Sequence, residues 1–163
     1  MSPRREPKNP KSCHERALGL LAVRPRSRRE LERRLLQARF EADEVADVLQ
    51  RLERVGLIDD EAFARQYAEH RFGVVREGSR AVERGLRAAG IAPTLAAATA
   101  EGGADDEEGR AQRLAESKAR RLSGVEPRTA FNRLSSLLMR RGYSPDLARR
   151  VARKALELSF VDE

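Results

Sequence analysis

The chain has 163 residues and a formal net charge of +7, with 33 Lys and Arg against 26 Asp and Glu and a single cysteine. One cysteine excludes an intramolecular disulfide and a cysteine-rich zinc site, and it favours a reducing, cytoplasmic location. Aromatic residues make up only 4% and charged residues 36%, which excludes a thick core and predicts thin helices packed through Leu, Val and Ala.

The first segment, residues 1–12, contains three prolines and four basic residues. Such a segment has little apolar surface to bury, so we expect a disordered basic tail. It lacks the apolar stretch of an export signal, and no run along the chain approaches the roughly 18 apolar residues of a membrane span. We therefore expect neither export nor a membrane-spanning segment.

Helix signals are explicit in the first third of the chain. Ser27 and Glu30 have the spacing of a capping box, in which each side chain accepts a hydrogen bond from the backbone amide of the other. The next helix carries apolar residues at helical spacing across Val45–Leu52, and Gly56 is expected to end it. A helix is therefore predicted to begin at Ser27, and the next one is predicted to be amphipathic.

Acidic residues mark the start of later helices. Asp59 and Asp60 precede a helix carrying Phe63 and Tyr67 and are interpreted as caps, because nothing nearby could complete a metal or catalytic site. The run Asp105–Glu108 is likewise interpreted as a helix start. Three further helices are predicted to begin at prolines, and Ser144 is expected to cap the last of them; these prolines are Pro93, Pro127 and Pro145.

The chain repeats itself about every 51 residues. The apolar anchors Phe40, Ile91 and Tyr143 mark the three copies. Apolar residues lie five and nine positions before each anchor, namely Leu35, Leu86 and Leu138 at five and Leu31, Val82 and Leu134 at nine. The residues directly before the anchors are Arg39, Gly90 and Gly142, so arginine stands in the first copy where glycine stands in the others.

This repeat predicts an all-α fold, an elongated, curved array of three tandem three-helix repeats. The predicted repeats cover residues 13–57, 58–103 and 104–158. They are flanked by the basic tail of residues 1–12 and a C-terminal tail of residues 159–163.

The sequence carries no enzyme signature. Cys13 and His14 are adjacent, so on a helix their side chains would point about 100° apart, and no acid is placed to orient the histidine. His70 is the only other histidine, and together these residues cannot supply a convincing zinc site. We expect a binding protein without catalytic activity, metal or cofactor.

Two predicted helices carry a cationic face opposite an apolar one. In the last helix the cations oppose Leu147, Val151, Ala155 and Leu158, and in the third helix from the end they oppose Ala111, Ala115 and Leu122, with Leu114 at the border. The cations are Arg149, Arg150, Arg153 and Lys154 in the last helix and Arg110, Arg113, Arg120 and Arg121 in the other. We interpret both faces as candidate contacts for phosphate or carboxylate, with a solvated surface balanced by Glu116 and Glu157 as the alternative.

The segment Arg54–Ala64, with the sequence RVGLIDDEAFA, resembles the hallmark segment of the RecX regulatory proteins, and Gly78–Ile91 resembles their second motif. The resemblance covers about residues 14–158, with departures at Arg39 and at Ala89, where a basic residue is usual. It implies an array of three-helix units that binds the RecA nucleoprotein filament and inhibits RecA ATPase, strand exchange and coprotease activity. Such a regulator would modulate recombination, DNA repair and the SOS response.

The resemblance leaves other binding classes open. The main alternative is a helix-turn-helix DNA-binding protein, although the Asn and Gln residues that could read bases are scattered along this sequence. A structural adaptor with no affinity for polyanions is a third class. We expect a monomer whose partner is RecA, and the sequence leaves weak, salt-sensitive binding to free DNA open.

Overall fold

The computed structural model describes residues 11–159 and, within the last helix, side chains as far as Glu157. Within these residues the chain forms nine α-helices and no strand, which confirms the predicted all-α fold. The helices are α1 (Cys13–Val23), α2 (Arg28–Gln37), α3 (Ala42–Arg54), α4 (Asp60–His70), α5 (Ser79–Ala88), α6 (Pro93–Glu101), α7 (Glu107–Ala119), α8 (Pro127–Arg140) and α9 (Pro145–Ser159). A π-helix covers Arg71–Val75, and short 3-10 helices cover Ala104–Asp106 and Arg120–Leu122.

The helices form two compact units. The first unit consists of the chain up to Phe63 together with Ala89–Ile91. The second unit consists of Ala64–Ala88 together with the chain from Ala92 onward. No helix within the described range is both long and apolar enough to cross a bilayer. Of the predicted tails at residues 1–12 and 159–163, residues 1–10 and 160–163 lie outside the described residues.

Each unit has its own aliphatic core. In the first unit, α1, α2 and α3 contribute side chains that include Cys13, Leu31, Leu49 and Leu52, each at most 1% exposed. In the second unit, α7, α8 and α9 contribute Leu, Val and Ala side chains around the ring of Tyr143. Aliphatic packing of this kind is what the low aromatic content predicts.

The predicted repeat positions are confirmed as core positions. All six residues at five and nine positions before the anchors are at most 1% exposed. The anchors Ile91 and Tyr143 are 3% and 1% exposed, and Phe40 is partly buried against the core of the first unit. The predicted apolar face of α9 is buried at Leu147, Val151 and Ala155, while the Leu158 side chain lies outside the described set.

Capping follows the prediction only in part. Ser27 accepts from the Glu30 amide at 3.1 Å, but the prediction that Glu30 returns this bond is wrong. The Glu30 carboxylate instead accepts from the guanidinium groups of Arg24 and Arg26, both at 2.5 Å, and Arg34, at 3.3 Å. Burial acts to raise the pKa of Glu30, but hydrogen bonds and charge from Arg24 and Arg26 together hold it below the ordinary value.

A complete capping box, not predicted from the sequence, occurs at α1. Ser12 accepts from the Glu15 amide at 3.1 Å, and the Glu15 carboxylate accepts from the Ser12 amide at 2.9 Å. Ser12 is the last residue of the predicted tail, so that segment already contains the cap of the first helix.

Several other predicted helix boundaries are confirmed. Asp59 accepts from the Ala62 amide at 3.0 Å and caps α4, and Gly56, with φ of 77°, follows the end of α3. The helices α6, α8 and α9 begin at the predicted prolines. Ser144 accepts from the Leu147 amide at 3.3 Å and caps α9.

Two acids that the sequence assigned to their own helices cap an earlier helix instead. In the first unit, Asp60 accepts from the Arg28 amide at the start of α2 at 2.9 Å. In the second unit, Glu107 accepts from the Ser79 amide at the start of α5 at 2.7 Å. Arg28 and Ser79 are both twelve residues before their anchors. In each unit, an acid from the following repeat therefore caps the helix that begins twelve residues before the anchor of the preceding repeat.

Candidate contact surface

The cationic face of α9 consists of Arg149, Arg150, Arg153 and Lys154. All four residues are exposed, whereas Leu147, Ala148, Val151, Ala152, Ala155 and Leu156 of the same helix are buried. One side of α9 therefore packs into the core of the second unit and the other presents its cations to solvent, as the spacing predicts.

The four cations differ in how they are engaged. Arg150 pairs with Glu108 at 3.0 Å, with both side chains about 60% exposed, and the Lys154 ammonium lies 3.3 Å from the Gln112 amide oxygen. The Arg153 guanidinium lies 6.0 Å from the centroid of the Phe131 ring. The Arg149 guanidinium has no ion-pair or hydrogen-bond partner within the described residues. Exposed pairs of this kind contribute little stability and can be exchanged for an external anion.

A surface hollow of about 380 Å³ runs along this face. It is lined by the four cations together with Asp146 and Glu157. Four positive charges against two negative ones leave a net cationic groove, so carboxylate or phosphate groups are the chemistry that this surface can bind.

The predicted cationic face of α7 is corrected by the structure at Arg110. This residue is only 5% exposed, and its guanidinium stacks on the Phe72 ring at 4.3 Å from the centroid. Its Nε and Nη2 atoms have no hydrogen-bond partner among the described atoms. The prediction that Arg110 lies on an exposed face is wrong, because the helical spacing cannot reveal that the π-helix places Phe72 over this position.

The other three predicted cations of this segment remain exposed but do not form one stripe. Arg113 pairs with Asp106 at 2.5 Å. Arg120 and Arg121 lie in the 3-10 helix that follows α7, where the 100° spacing assumed for an α-helix does not apply. Leu114, predicted at the border of the apolar face, is buried at 4%.

A further polar face lies on α8 and was not predicted from the sequence. A surface hollow of about 400 Å³ is lined by Thr129, Asn132, Arg133, Ser136 and Arg140. Their spacing of three, four, seven and eleven residues places them along one side of a helix. That spacing was the available signal, but it is obscured because only two of the five residues are charged.

Cys13 offers no reactive thiol. Its side chain is 0% exposed in the core of the first unit, and burial, followed by the charge of Glu44, raises the pKa of the thiol. A buried thiol with a raised pKa is a poor nucleophile. Within the described residues, no three His, Cys, Asp or Glu side chains are grouped as a metal site would require.

Comparison with known protein families gives three matches along the chain. The first three-helix domain of RecX matches residues 13–52, the second matches residues 59–99, and the third matches residues 105–152. These matches confirm three tandem three-helix domains.

Full-length relatives and solved structures agree with these matches. The chain is 37% identical to a Regulatory protein RecX from Streptomyces coelicolor, covering 86% of this chain and 75% of the relative, and 38% identical to one from Mycolicibacterium smegmatis, covering 86% and 79%. Its fold is similar to the crystal structure of RecX from Lactobacillus salivarius, with a TM-score of 0.76 at 24% identity over 90% of this chain and 95% of the other. The chain therefore belongs to the RecX family of regulatory proteins.

Proposed function

We propose that this chain binds the RecA nucleoprotein filament and inhibits RecA ATPase, strand exchange and coprotease activity. Through this inhibition it modulates recombination, DNA repair and the SOS response. The observation that carries the proposal is the succession of three RecX domains across residues 13–152. Cytoplasmic location and a monomeric state belong to the same proposal.

Binding along a filament requires several modest contacts rather than one deep pocket. A chain of three similar domains can contact more than one subunit of a repetitive partner, and linked contacts add through effective concentration. A protein that bridges neighbouring subunits can hold them in an unproductive arrangement, or block access for a second DNA, without performing chemistry. Inhibition by binding alone suits a chain whose one thiol is buried.

The cationic face of α9 is the proposed contact with the filament. Its four cations protrude from a helix whose opposite side is anchored in the core, so the charges are displayed on a rigid support. We propose additional contacts at three exposed cations, Arg113, Arg120 and Arg121. Arg110 is not among the proposed contacts because it is buried. Within the proposal, the three functional repeats are residues 13–57, 58–103 and 104–158.

The second candidate is a helix-turn-helix type of DNA-binding protein. The observation that favours it is the α8 hollow, where Asn132, Thr129 and Ser136 lie beside Arg133 and Arg140. Amide and hydroxyl groups beside arginine can contact bases and phosphates. The two candidates differ in partner: one requires a RecA filament, and the other requires only duplex DNA.

A titration with three samples separates these candidates. Fluorescently labelled protein is titrated with RecA filaments on single-stranded DNA, with the same DNA without RecA, and with a duplex. The proposal predicts much tighter binding to filaments than to either DNA, and binding to free DNA that weakens steeply with salt. Equal affinity for the filament and its free DNA would contradict the proposal, and tight binding to the duplex alone would favour the second candidate.

A further inference from the structure

The π-helix Arg71–Val75 ends in a strained residue. Arg76 has φ of 57° and ψ of 47°, the left-handed conformation that residues with a side chain rarely adopt. Two long-range hydrogen bonds hold this turn: Arg141 donates to the Val75 carbonyl at 2.8 Å, and Tyr143 donates to the Arg76 carbonyl at 2.7 Å. A π-helix and a strained residue are both enriched at functional sites.

This turn forms one wall of a surface hollow of about 370 Å³, here called the turn hollow. Three cations, Arg76, Lys118 and Arg141, contribute to its lining, and no carboxylate does. Val74, Val75 and Leu114 contribute aliphatic side chains to the same lining. All of these residues belong to the second unit.

The three cations have no ion pair with any described carboxylate. Arg76 donates to the Arg113 carbonyl at 3.4 Å and Arg141 to the Val75 carbonyl, so each guanidinium is oriented by the backbone. An arginine has five N–H donors, and these bonds use one of them in each case. The Lys118 ammonium has no hydrogen-bond or ion-pair partner within the described residues. The turn hollow therefore presents oriented, unneutralised donors to an incoming anion.

The apolar residues of the hollow distinguish between two kinds of anionic ligand, an acidic peptide and a nucleic acid. Val74 is 72% exposed, and it is the one exposed large hydrophobic residue of the described part of the second unit. An exposed valine beside unpaired cations suits a peptide that carries an aliphatic side chain next to its carboxylates. Nucleic acid would satisfy the cations but would leave Val74 uncovered, and no aromatic residue lines the hollow for bases to stack on.

We propose that the turn hollow docks an acidic peptide segment of the protein partner, with carboxylates on Lys118, Arg76 and Arg141 and an aliphatic side chain on Val74. This inference rests on the proposed function, since the filament supplies the partner protein. It assigns to the second unit a protein-binding site separate from the cationic face of α9.

The test measures binding of labelled protein to RecA filaments on single-stranded DNA and, separately, to that DNA alone. Val74→Asp and Lys118→Glu each place a negative charge in the hollow, and each is expected to weaken filament binding about tenfold, which corresponds to about 1.4 kcal/mol. Val23→Asp is the matched control, because Val23 is 77% exposed and lies in the first unit. It should bind filaments like the wild type, and all variants should bind free DNA unchanged.

Each outcome decides a separate point. If the wild type binds filaments and both hollow variants match it, the turn hollow is not a docking site and the proposed function stands. If the affinity of the hollow variants for free DNA falls as much as their affinity for filaments, the occupant is nucleic acid and an acidic peptide is excluded. A wild type that fails to bind filaments overturns the proposed function and this inference together. Val74→Ser, which removes apolar surface without adding charge, should also weaken filament binding and decides the point if Val74→Asp does not fold.

Discussion

Tyr143 donates its phenolic hydrogen to the backbone carbonyl of Arg76 at 2.7 Å, although the two residues lie 67 positions apart. Tyr143 is the anchor of the third repeat and is 1% exposed, whereas Arg76 is the strained residue that ends the π-helix. The buried hydroxyl therefore ties the core of the second unit to the turn that shapes the hollow.

Replacing this hydroxyl should destabilise the protein without disturbing its packing. Tyr143→Phe keeps the ring but leaves the Arg76 carbonyl without this donor, which should lower the free energy of unfolding by about 1 kcal/mol at neutral pH. Urea unfolding followed by circular dichroism measures the change. An unfolding midpoint equal to that of the wild type would mean that the hydrogen bond contributes nothing.

The same variant has a distinct expected response to alkali. Burial, the largest cause, raises the pKa of Tyr143 from 10.0 to about 12. Because the folded protein holds this proton more tightly than the unfolded chain, the contribution of Tyr143 is complete below pH 10.0 and is lost as the pH rises towards about 12. The stability difference between wild type and Tyr143→Phe should therefore shrink between these pH values. A difference independent of pH would contradict this assignment.

The residue before each anchor has a structural reason that the sequence alone did not supply. Arg39, Gly90 and Gly142 all have positive φ, at 67°, 89° and 92°. A Cβ atom on Gly90 would lie 2.6 Å from the Arg29 Cβ, and one on Gly142 would lie 2.5 Å from the Ala81 amide nitrogen. In the second and third repeats, both the positive φ and the lack of space for a Cβ atom therefore require glycine. In the first repeat the side chain of Arg39 is exposed.

This difference predicts opposite effects of substitution at equivalent positions. Arg39→Gly relieves a left-handed conformation that costs a residue with a side chain roughly 1–2 kcal/mol. Glycine loses more backbone entropy on folding, which offsets part of this gain, so the variant should be more stable than the wild type by about 0.5 kcal/mol. Gly142→Ala should destabilise it by more than about 2 kcal/mol, because strain and a clash with Ala81 act together. Thermal unfolding of both variants provides the measurement. A destabilised Arg39→Gly, or a Gly142→Ala as stable as the wild type, would contradict the explanation.

The features that could be predicted from the sequence are those set by local spacing. Apolar positions relative to Phe40, Ile91 and Tyr143 identified the core, and prolines identified three helix starts, because both depend on residues within one or two turns. The partners of Asp60 and Glu107 could not be predicted, since each lies on another helix about 30 residues away.

The candidate site shows the same division. The cationic face of α9 follows from helical spacing within one helix, and its four residues are exposed as predicted. The burial of Arg110 depends on Phe72, and the π-helix that carries Phe72 is held by bonds from Arg141 and Tyr143. Contacts over such distances leave no periodic signal in the sequence.

The cationic face of α9 yields a prediction that separates binding from stability. Arg149→Glu combined with Arg153→Glu should leave helicity intact, because exposed charge changes usually alter stability by about 0.5 kcal/mol each. Filament affinity should fall at least roughly tenfold, or about 1.4 kcal/mol, with a shallower dependence on salt. Binding isotherms at several salt concentrations measure both quantities.

The control for this variant has the same change in net charge elsewhere. Arg33→Glu combined with Arg65→Glu reverses two exposed arginines of α2 and α4 that have no ion-pair partner in the described chain. If the α9 face is a specific contact, the control retains most of its affinity. Equal losses of filament affinity in both double variants would indicate a general effect of net charge. Equal affinity of the wild type and the α9 variant would mean that these residues are solvated surface and not a contact.

We propose that this chain restrains RecA by binding its filament, and the most direct measurement of this inhibition is RecA ATP hydrolysis on single-stranded DNA with the protein titrated in. Because one chain of three domains can contact several subunits, inhibition should already appear at fewer than one molecule per RecA subunit. The protein without RecA should hydrolyse no ATP. Unchanged RecA turnover at saturating protein and low salt, where charged contacts are strongest, would contradict the account.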